Sequence, residues 1–213
     1  MLTWYFIALT QLITPYIMLA RIYHDLIQNT NQYKGSVIIE IMKLLTTIHD
    51  SADLDIAEAT QNITPRVAAR AVVLDGKSIA LLKVGRDGYH KLPGGGHEEP
   101  EELLDTLRRE VLEEIGCEID HIQSIGQIND YRKEWDFYQK SFSYLAYATK
   151  RNLETNMTKK EIEAEFSIVW APSIEEAITT LEQDKPKTYE GEFIQRRDLV
   201  ILKEAEKILK QYP

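Results

Sequence analysis

Residues 94–117 read GGGHEEPEELLDTLRREVLEEIGC, and the residue types in this stretch suit one kind of chemistry. Glu110, Glu113 and Glu114 fall at i, i+3 and i+4, so a helix would gather three carboxylates on one face, within about 6 Å of each other. Like charges placed so closely repel, and a hard divalent cation with oxygen ligands is the partner that suits them. Arg109 stands four residues before Glu113 and can hold a carboxylate in a forked contact. The glycines just upstream let backbone approach a ligand closely and leave carbonyl oxygens for a metal. A merely solvated acidic helix explains neither the glycine run nor the spacing of Arg109 and Glu101.

These residues resemble the Nudix box: glycine, five residues, glutamate, seven residues, Arg-Glu, an aliphatic, one residue, Glu-Glu, one residue, glycine and an aliphatic. The chain matches at Gly95, Glu101, Arg109, Glu110, Val111, Glu113, Glu114 and Gly116. It departs only at Cys117, where a larger aliphatic is usual, and a buried cysteine packs as a small hydrophobe. The resemblance implies an α+β fold, a Nudix-type α/β/α sandwich with a mixed sheet, over residues 63–213. It also implies hydrolysis of a nucleoside diphosphate linked to another moiety, by water attack at phosphorus, with Mg²⁺ or Mn²⁺ bound between box and substrate.

By the same resemblance Glu110 and Glu114 are the leading metal ligands, with the Gly94 carbonyl as a backbone ligand. Glu113 is a further ligand or the group that orients water, and Arg109 and Glu101 align the others. Family members often add a glutamate from the loop before a late strand, and Glu161 or Glu163 is the candidate here, Glu161 being preferred. Arg70, Lys91 and the Gly95 backbone are the candidates for holding substrate. The alternative is a catalytically silent Nudix-fold module that senses a nucleotide; such modules usually have eroded boxes, whereas every acidic position here is intact. Sub-signatures of the family mostly read negative: Lys133 stands where ADP-ribose hydrolases place a proline, and the patterns of NADH pyrophosphatases, coenzyme A hydrolases and isopentenyl diphosphate isomerases are missing.

The elements that must position these residues follow from periodicity. Val67 to Leu74 and Ser78 to Val84 alternate as strands joined by an Asp75-Gly76 turn, and Tyr89 to Leu92 is a short strand. Leu103 to Ile115 is a helix closed by Gly116. Ile119 to Ile128 and Ser141 to Thr149 are strands flanking a loop that holds Tyr131, Trp135 and Tyr138, which could stack on a base or simply pack. Glu165 to Ala171 is a further strand, Ser173 opens a helix to about Glu182, and Phe193 to Gln211 is the last helix, with Arg196-Arg197-Asp198 as a charged face. His90 and His97 flank the glycine run as substrate contacts or surface groups.

Ahead of Thr64-Pro65 the pattern is helical. Met1 to Ala20 is mostly apolar, but a polar stripe and the apolar face both run on to Ile27, as in one long amphipathic helix that packs or dimerises rather than a membrane anchor. Val37 to Ile48 recurs at helical spacing, and Leu54 to Ala59 is a short helix. Residues 1–62 thus read as a helical extension and a possible homodimer contact.

Charge narrows the partners. With 25 Lys and Arg against 34 Asp and Glu, the net of −9 disfavours a nucleic acid duplex, whose phosphates need a basic face. A small polyphosphate remains compatible, because residues 65–97 carry six cations against two acids while residues 98–120 carry ten acids against two arginines. Hydrophobic residues at 44% and charged ones at 28% match a soluble globular chain. The one cysteine excludes an internal disulfide, and a reducing cytoplasm is the expected setting.

Overall fold

The computed structural model of the chain describes residues 42–50 and 54–211. The expected first helix, and the dimer contact assigned to it, lie outside the described residues. Among the described residues no helix is long and apolar enough to cross a membrane.

Seven consecutive buried residues, Ala68 to Leu74, make β2 (Arg66–Asp75) the centre of a seven-stranded mixed sheet. On one edge β2 runs parallel to β6 (Phe137–Lys150), which pairs antiparallel with β5 (Glu118–Arg132), and β5 in turn pairs parallel with β1 (Leu44–Ile48). On the other edge β2 and β3 (Ser78–Val84) form the hairpin expected at Asp75-Gly76, but they pair only over Leu74–Ile79 and Asp75–Ser78. Beyond that the strands part, and β4 (Tyr89–Lys91) with the residues after it fills the gap. β4 pairs with β3, while Ala71 N–H donates to the Pro93 carbonyl and Ala69 N–H to the Gly95 carbonyl, both at 3.0 Å. β7 (Phe166–Ala171) lies on the far edge of β3. The glycine run is therefore inserted in the sheet rather than looped above it.

The helices are α1 (Ile56–Thr60), α2 (Leu103–Ile115), α3 (Lys159–Glu163), α4 (Ile174–Gln183) and α5 (Tyr189–Gln211). Side chains alternate along β2. Val72 and Leu74 join Leu181, Phe193, Ile201 and Leu202 of α4 and α5 in one core, and α2 packs on β2, β3 and β5 through Leu103, Leu107, Val111 and Ile115. This is the α+β sandwich with a mixed sheet that the box implies.

Three expectations need correction. Leu44–Ile48 is a strand, not the end of a helix. Its apolar spacing fits either, but Thr46, Thr47 and Ile48 are β-branched, and pairing with the open edge of β5 decides the matter. The sheet thus begins ahead of the boundary expected at residue 62. Tyr131 and Tyr138 do not sit in a loop: β5 and β6 continue as a hairpin in which they face each other, closed by a 3-10 turn at Lys133–Trp135. Lastly, Arg197 and Asp198 are buried on the inner side of α5, not on a charged outer face.

α2 ends where Gly116 adopts φ +61°, the left-handed conformation that L side chains rarely take. The next segment is tied to this end: Leu153 N–H donates to the Gly116 carbonyl at 3.0 Å and Asn156 N–H to the Glu113 carbonyl at 2.8 Å. A Cβ at Gly116 would run into the Leu153 carbonyl. Gly116→Ala is expected to lower the unfolding free energy by at least about 1 kcal/mol in urea titration, from the conformational term alone.

Candidate active site

α2 and the inserted glycine run meet at Glu114. This carboxylate is 2% exposed. Lys91 Nζ donates to its Oε1 at 2.7 Å, and Gly94 N–H donates to its Oε2 at 2.6 Å. Gly94 has φ +131°, and a Cβ there would strike the Ala69 carbonyl of β2. One turn earlier, the Glu110 carboxylate lies against Gly95 in space that a Cβ would fill. Burial, and then the neighbouring charge of Glu114, push the Glu110 carboxyl above its ordinary value.

Arg109 organises the acidic side chains. Its Nε and Nη2 donate to Glu101 Oε2 and Oε1 at 3.1 and 2.8 Å, its Nη1 to Glu110 Oε1 at 2.9 Å and Glu113 Oε2 at 3.1 Å, and Nη2 also to the Gly96 carbonyl at 3.2 Å. Glu101 receives two further bonds, from Thr106 Oγ1 at 2.8 Å and Glu98 N–H at 3.1 Å. The Arg109 fork, followed by these two donors, brings its carboxyl down to about 2.

The three box carboxylates are not equivalent. Glu113 is held toward Arg109 and is 34% exposed, whereas Glu110 and Glu114 turn inward. Among the described residues no three His, Cys, Asp or Glu side chains form a ready-made metal cage. The donor set that does fit a hard cation is mixed: Glu110, Glu114 and the Gly94 carbonyl, which accepts no hydrogen bond among the described residues while Pro93, Gly95 and Gly96 carbonyls do. A like-charge pair, Glu114 buried and Glu110 half-buried and cradled on Gly95, is the observation that suits such an ion.

These groups line a cleft of about 650 Å³. Its other walls carry Arg66, Arg70 and Arg197, and its rim carries Asn156, Thr158, Glu161 and Glu163 from the segment leading into and through α3. A second, more apolar hollow of about 770 Å³ at Arg108, Leu112 and Cys117 is lined by none of the box carboxylates.

The family model for the NUDIX domain matches residues 64–191, more than half of the chain. The chain belongs to the NUDIX family. No match is found among curated proteins. Solved structures similar to it include a NUDIX hydrolase from Nitrosomonas europaea, 19% identical over 68% of this chain and 90% of that one, with a TM-score of 0.48. A MutT NUDIX hydrolase from Burkholderia pseudomallei is 18% identical over 62% and 97%, with a TM-score of 0.46. An ADP-ribose pyrophosphatase from Streptococcus suis is 19% identical over 67% and 92%, with a TM-score of 0.45.

Within this NUDIX domain the expected site residues Gly94, Gly95, Arg109, Glu110, Glu113, Glu114, Arg70, Lys91 and Glu161 all line one cleft. Two of them are engaged in ways the sequence did not suggest. Lys91 is seated on Glu114, with its ammonium 4.9 Å from the Phe166 ring centre. Glu161 closes a capping box on α3, its Oε2 accepting from Thr158 N–H at 2.6 Å. His90 and His97 do not line the cleft: His90 Nδ1 is 2.9 Å from Asp184 Oδ1, and His97 Nδ1 is 3.0 Å from Thr106 Oγ1. Trp135 packs edge-on against Tyr189, and Tyr131 donates to Asp136. Arg197 lines the cleft as well, which its sequence setting does not suggest, and its ion-pair partner Asp198 accepts from Leu92 N–H at 2.8 Å through Oδ2 and so anchors the segment that leads into the glycine run.

A carboxyl held at about 2 in the folded chain, against 4.5 ordinarily, stabilises the fold fully above pH 4.5 and loses that contribution as pH falls toward 2. The difference in unfolding temperature between wild type and Glu101→Gln is therefore expected to be steady near neutrality and to shrink through that window. Circular dichroism melts across the acid range measure it.

Proposed function

We propose that this NUDIX protein is a divalent-cation-dependent pyrophosphohydrolase that cleaves a phosphoanhydride bond in a nucleoside-diphosphate-linked small molecule by water attack at phosphorus. The observation that carries this reading is the pairing of inward-facing Glu110 and Glu114 with a wall of arginines across one cleft. A polyphosphate substrate needs both: oxygen ligands for its counter-cation and donors for its free oxygens. Bound at Glu110, Glu114 and the Gly94 carbonyl, Mg²⁺ or Mn²⁺ would neutralise phosphate oxygens and acidify the attacking water.

The chain's own groups divide the remaining work. Arg109 fixes the rotamers of Glu110 and Glu113, so that carboxylate oxygens are aimed before substrate arrives. Glu113, more exposed than its neighbours, can accept a proton from water at the cleft mouth. Lys91 holds Glu114 in register and supplies a positive charge beside it. Glu161 has one oxygen engaged by Thr158 and one left to accept a proton, which keeps it a candidate for the base; Glu163 lines the same rim.

Glu114→Gln is expected to lower kcat on the order of 100-fold or more, since it removes one charge from the cation site and leaves a buried Lys91 unpaired. Incubating the purified protein with a panel of nucleotides and Mg²⁺, and reading products by phosphorus NMR, tests the reaction class. EDTA should abolish turnover and Mn²⁺ should restore it. Binding without cleavage across the panel would instead favour the nucleotide-sensing module.

A further inference from the structure

Glu114 is the most buried carboxylate of the box, and its two oxygens accept from one ammonium and one amide. Lys91 Nζ donates to Oε1 at 2.7 Å and Gly94 N–H to Oε2 at 2.6 Å. Arg109 pairs with Glu101, Glu110 and Glu113 but not with Glu114. Lys91 is therefore the one ion-pair partner of Glu114 among the described residues. A carboxylate this deeply buried needs a counter-charge at all times, because an unpaired buried charge is strongly destabilising.

The same carboxylate is the leading ligand for a divalent ion. An ammonium and a divalent ion held by one carboxylate stand only about 4–5 Å apart, and in a site with little water their repulsion is large. An ion at Glu110, Glu114 and the Gly94 carbonyl thus competes with Lys91. The lysine has somewhere else to go. Its backbone is fixed, since Lys91 pairs with Leu82 of β3 and the next N–H, of Leu92, is held by Asp198, but a flexible four-carbon stem separates ammonium from backbone. The Phe166 ring of β7 has its centre 4.9 Å from Nζ, within cation–π range, and both side chains line the cleft. The ammonium can give up Glu114 and still keep an attractive partner.

We propose that Lys91 is a resident counter-cation of this site: it neutralises Glu114 whenever no divalent ion is bound, and it yields toward Phe166 when one enters. The pairing keeps α2 docked on β4 without an ion, and it makes ion binding weaker than the carboxylates alone would give. Lys91 acts on the ion through Glu114 and is a positioning residue, not a catalytic one. The role rests on the cation site proposed above and does not depend on the hydrolytic reaction.

The test uses the full chain with Mn²⁺ alone as probe and no nucleotide, reading free Mn²⁺ by electron paramagnetic resonance and stability by thermal unfolding. Binding that is lost in Glu114→Gln is the binding counted. Lys91→Met is expected to bind Mn²⁺ at least about tenfold more tightly than wild type, because a like charge beside the ion is gone. In EDTA it should unfold at a lower temperature than wild type, since Glu114 loses its partner, and a given Mn²⁺ concentration should raise its unfolding temperature by more. Lys91→Gln keeps a donor for Glu114 without the charge, and it is the second variant should Lys91→Met fail to fold; it too should bind more tightly.

A lysine that only orients Glu114 for the ion would give the reverse, weaker binding once it is replaced. Mn²⁺ binding by the folded variants that is equal to wild type or weaker overturns the resident-cation role and leaves the cation site standing. No Glu114-dependent binding by wild type or by either variant overturns both. Tighter binding by the variants of a protein that hydrolyses no nucleotide overturns the hydrolase reading and leaves the role of Lys91 intact.

Discussion

Glu114 is the contact on which the site's geometry depends. Removing a carboxylate from water costs several kcal/mol unless charge and hydrogen bonds replace the lost hydration. Here the replacement comes from Lys91 on β4 and from the Gly94 backbone. Because both donors belong to the segment inserted between β2 and β3, satisfying one buried oxygen pair sets the position of α2 relative to the whole sheet. Asp198 acts from the opposite side, accepting the Leu92 N–H at 2.8 Å. Residues 91–94 are thus gripped by two buried carboxylates from two different helices. A backbone held in this way cannot drift, and its free Gly94 carbonyl and the Gly95 cradle under Glu110 are presented in a defined place.

Arg109 solves a second problem, the crowding of acids on one helix. Glu101, Glu110 and Glu113 share a single guanidinium, so the acidic cluster is already partly neutralised before any cation arrives. The sharing is uneven. Glu101 takes the bidentate fork and serves as a fixed post, while Glu110 receives a single bond and feels burial and Glu114 more strongly. One arginine therefore separates the acids of the box into a group that anchors and a group left short of positive charge, which is the division a cation site requires.

Much of this was legible from residue spacing. Identities from Gly95 to Gly116 placed α2, its left-handed cap and the glycine run within a residue of where they stand, because each depends on local chemistry: helical periodicity, a glycine-only conformation, a forked contact four residues apart. What was not legible depended on tertiary contacts. Leu44–Ile48 has apolar residues at helical spacing, and only the unpaired edge of β5 makes it a strand. The β5–β6 hairpin extends through polar and aromatic residues because cross-strand pairing continues where hydrophobic alternation does not. Arg197-Asp198 looks like the charged face of any amphipathic helix, and its burial follows from Leu92 N–H needing an acceptor. The inequality of Glu113 and Glu114 was likewise hidden, since both fit the same helix face and the donors that single out Glu114, Lys91 and the Gly94 N–H, come from 20 or more residues earlier.

The distribution of charge across the cleft gives the overall acidity a different meaning. A net of −9 argues against extended polyanions, yet the cleft wall formed by β2 and α5 carries two buried arginines, Arg70 with no carboxylate in ion-pair distance among the described residues and Arg197 paired with Asp198. On the hydrolase reading proposed above, this wall would face the anionic part of a substrate, and the carboxylates across the same cleft its counter-cation. A polyphosphate accompanied by a divalent ion supplies both at once. On that reading either component alone would leave one wall short of counter-charge, even though Lys91 and Arg109 already offset part of the acidic side.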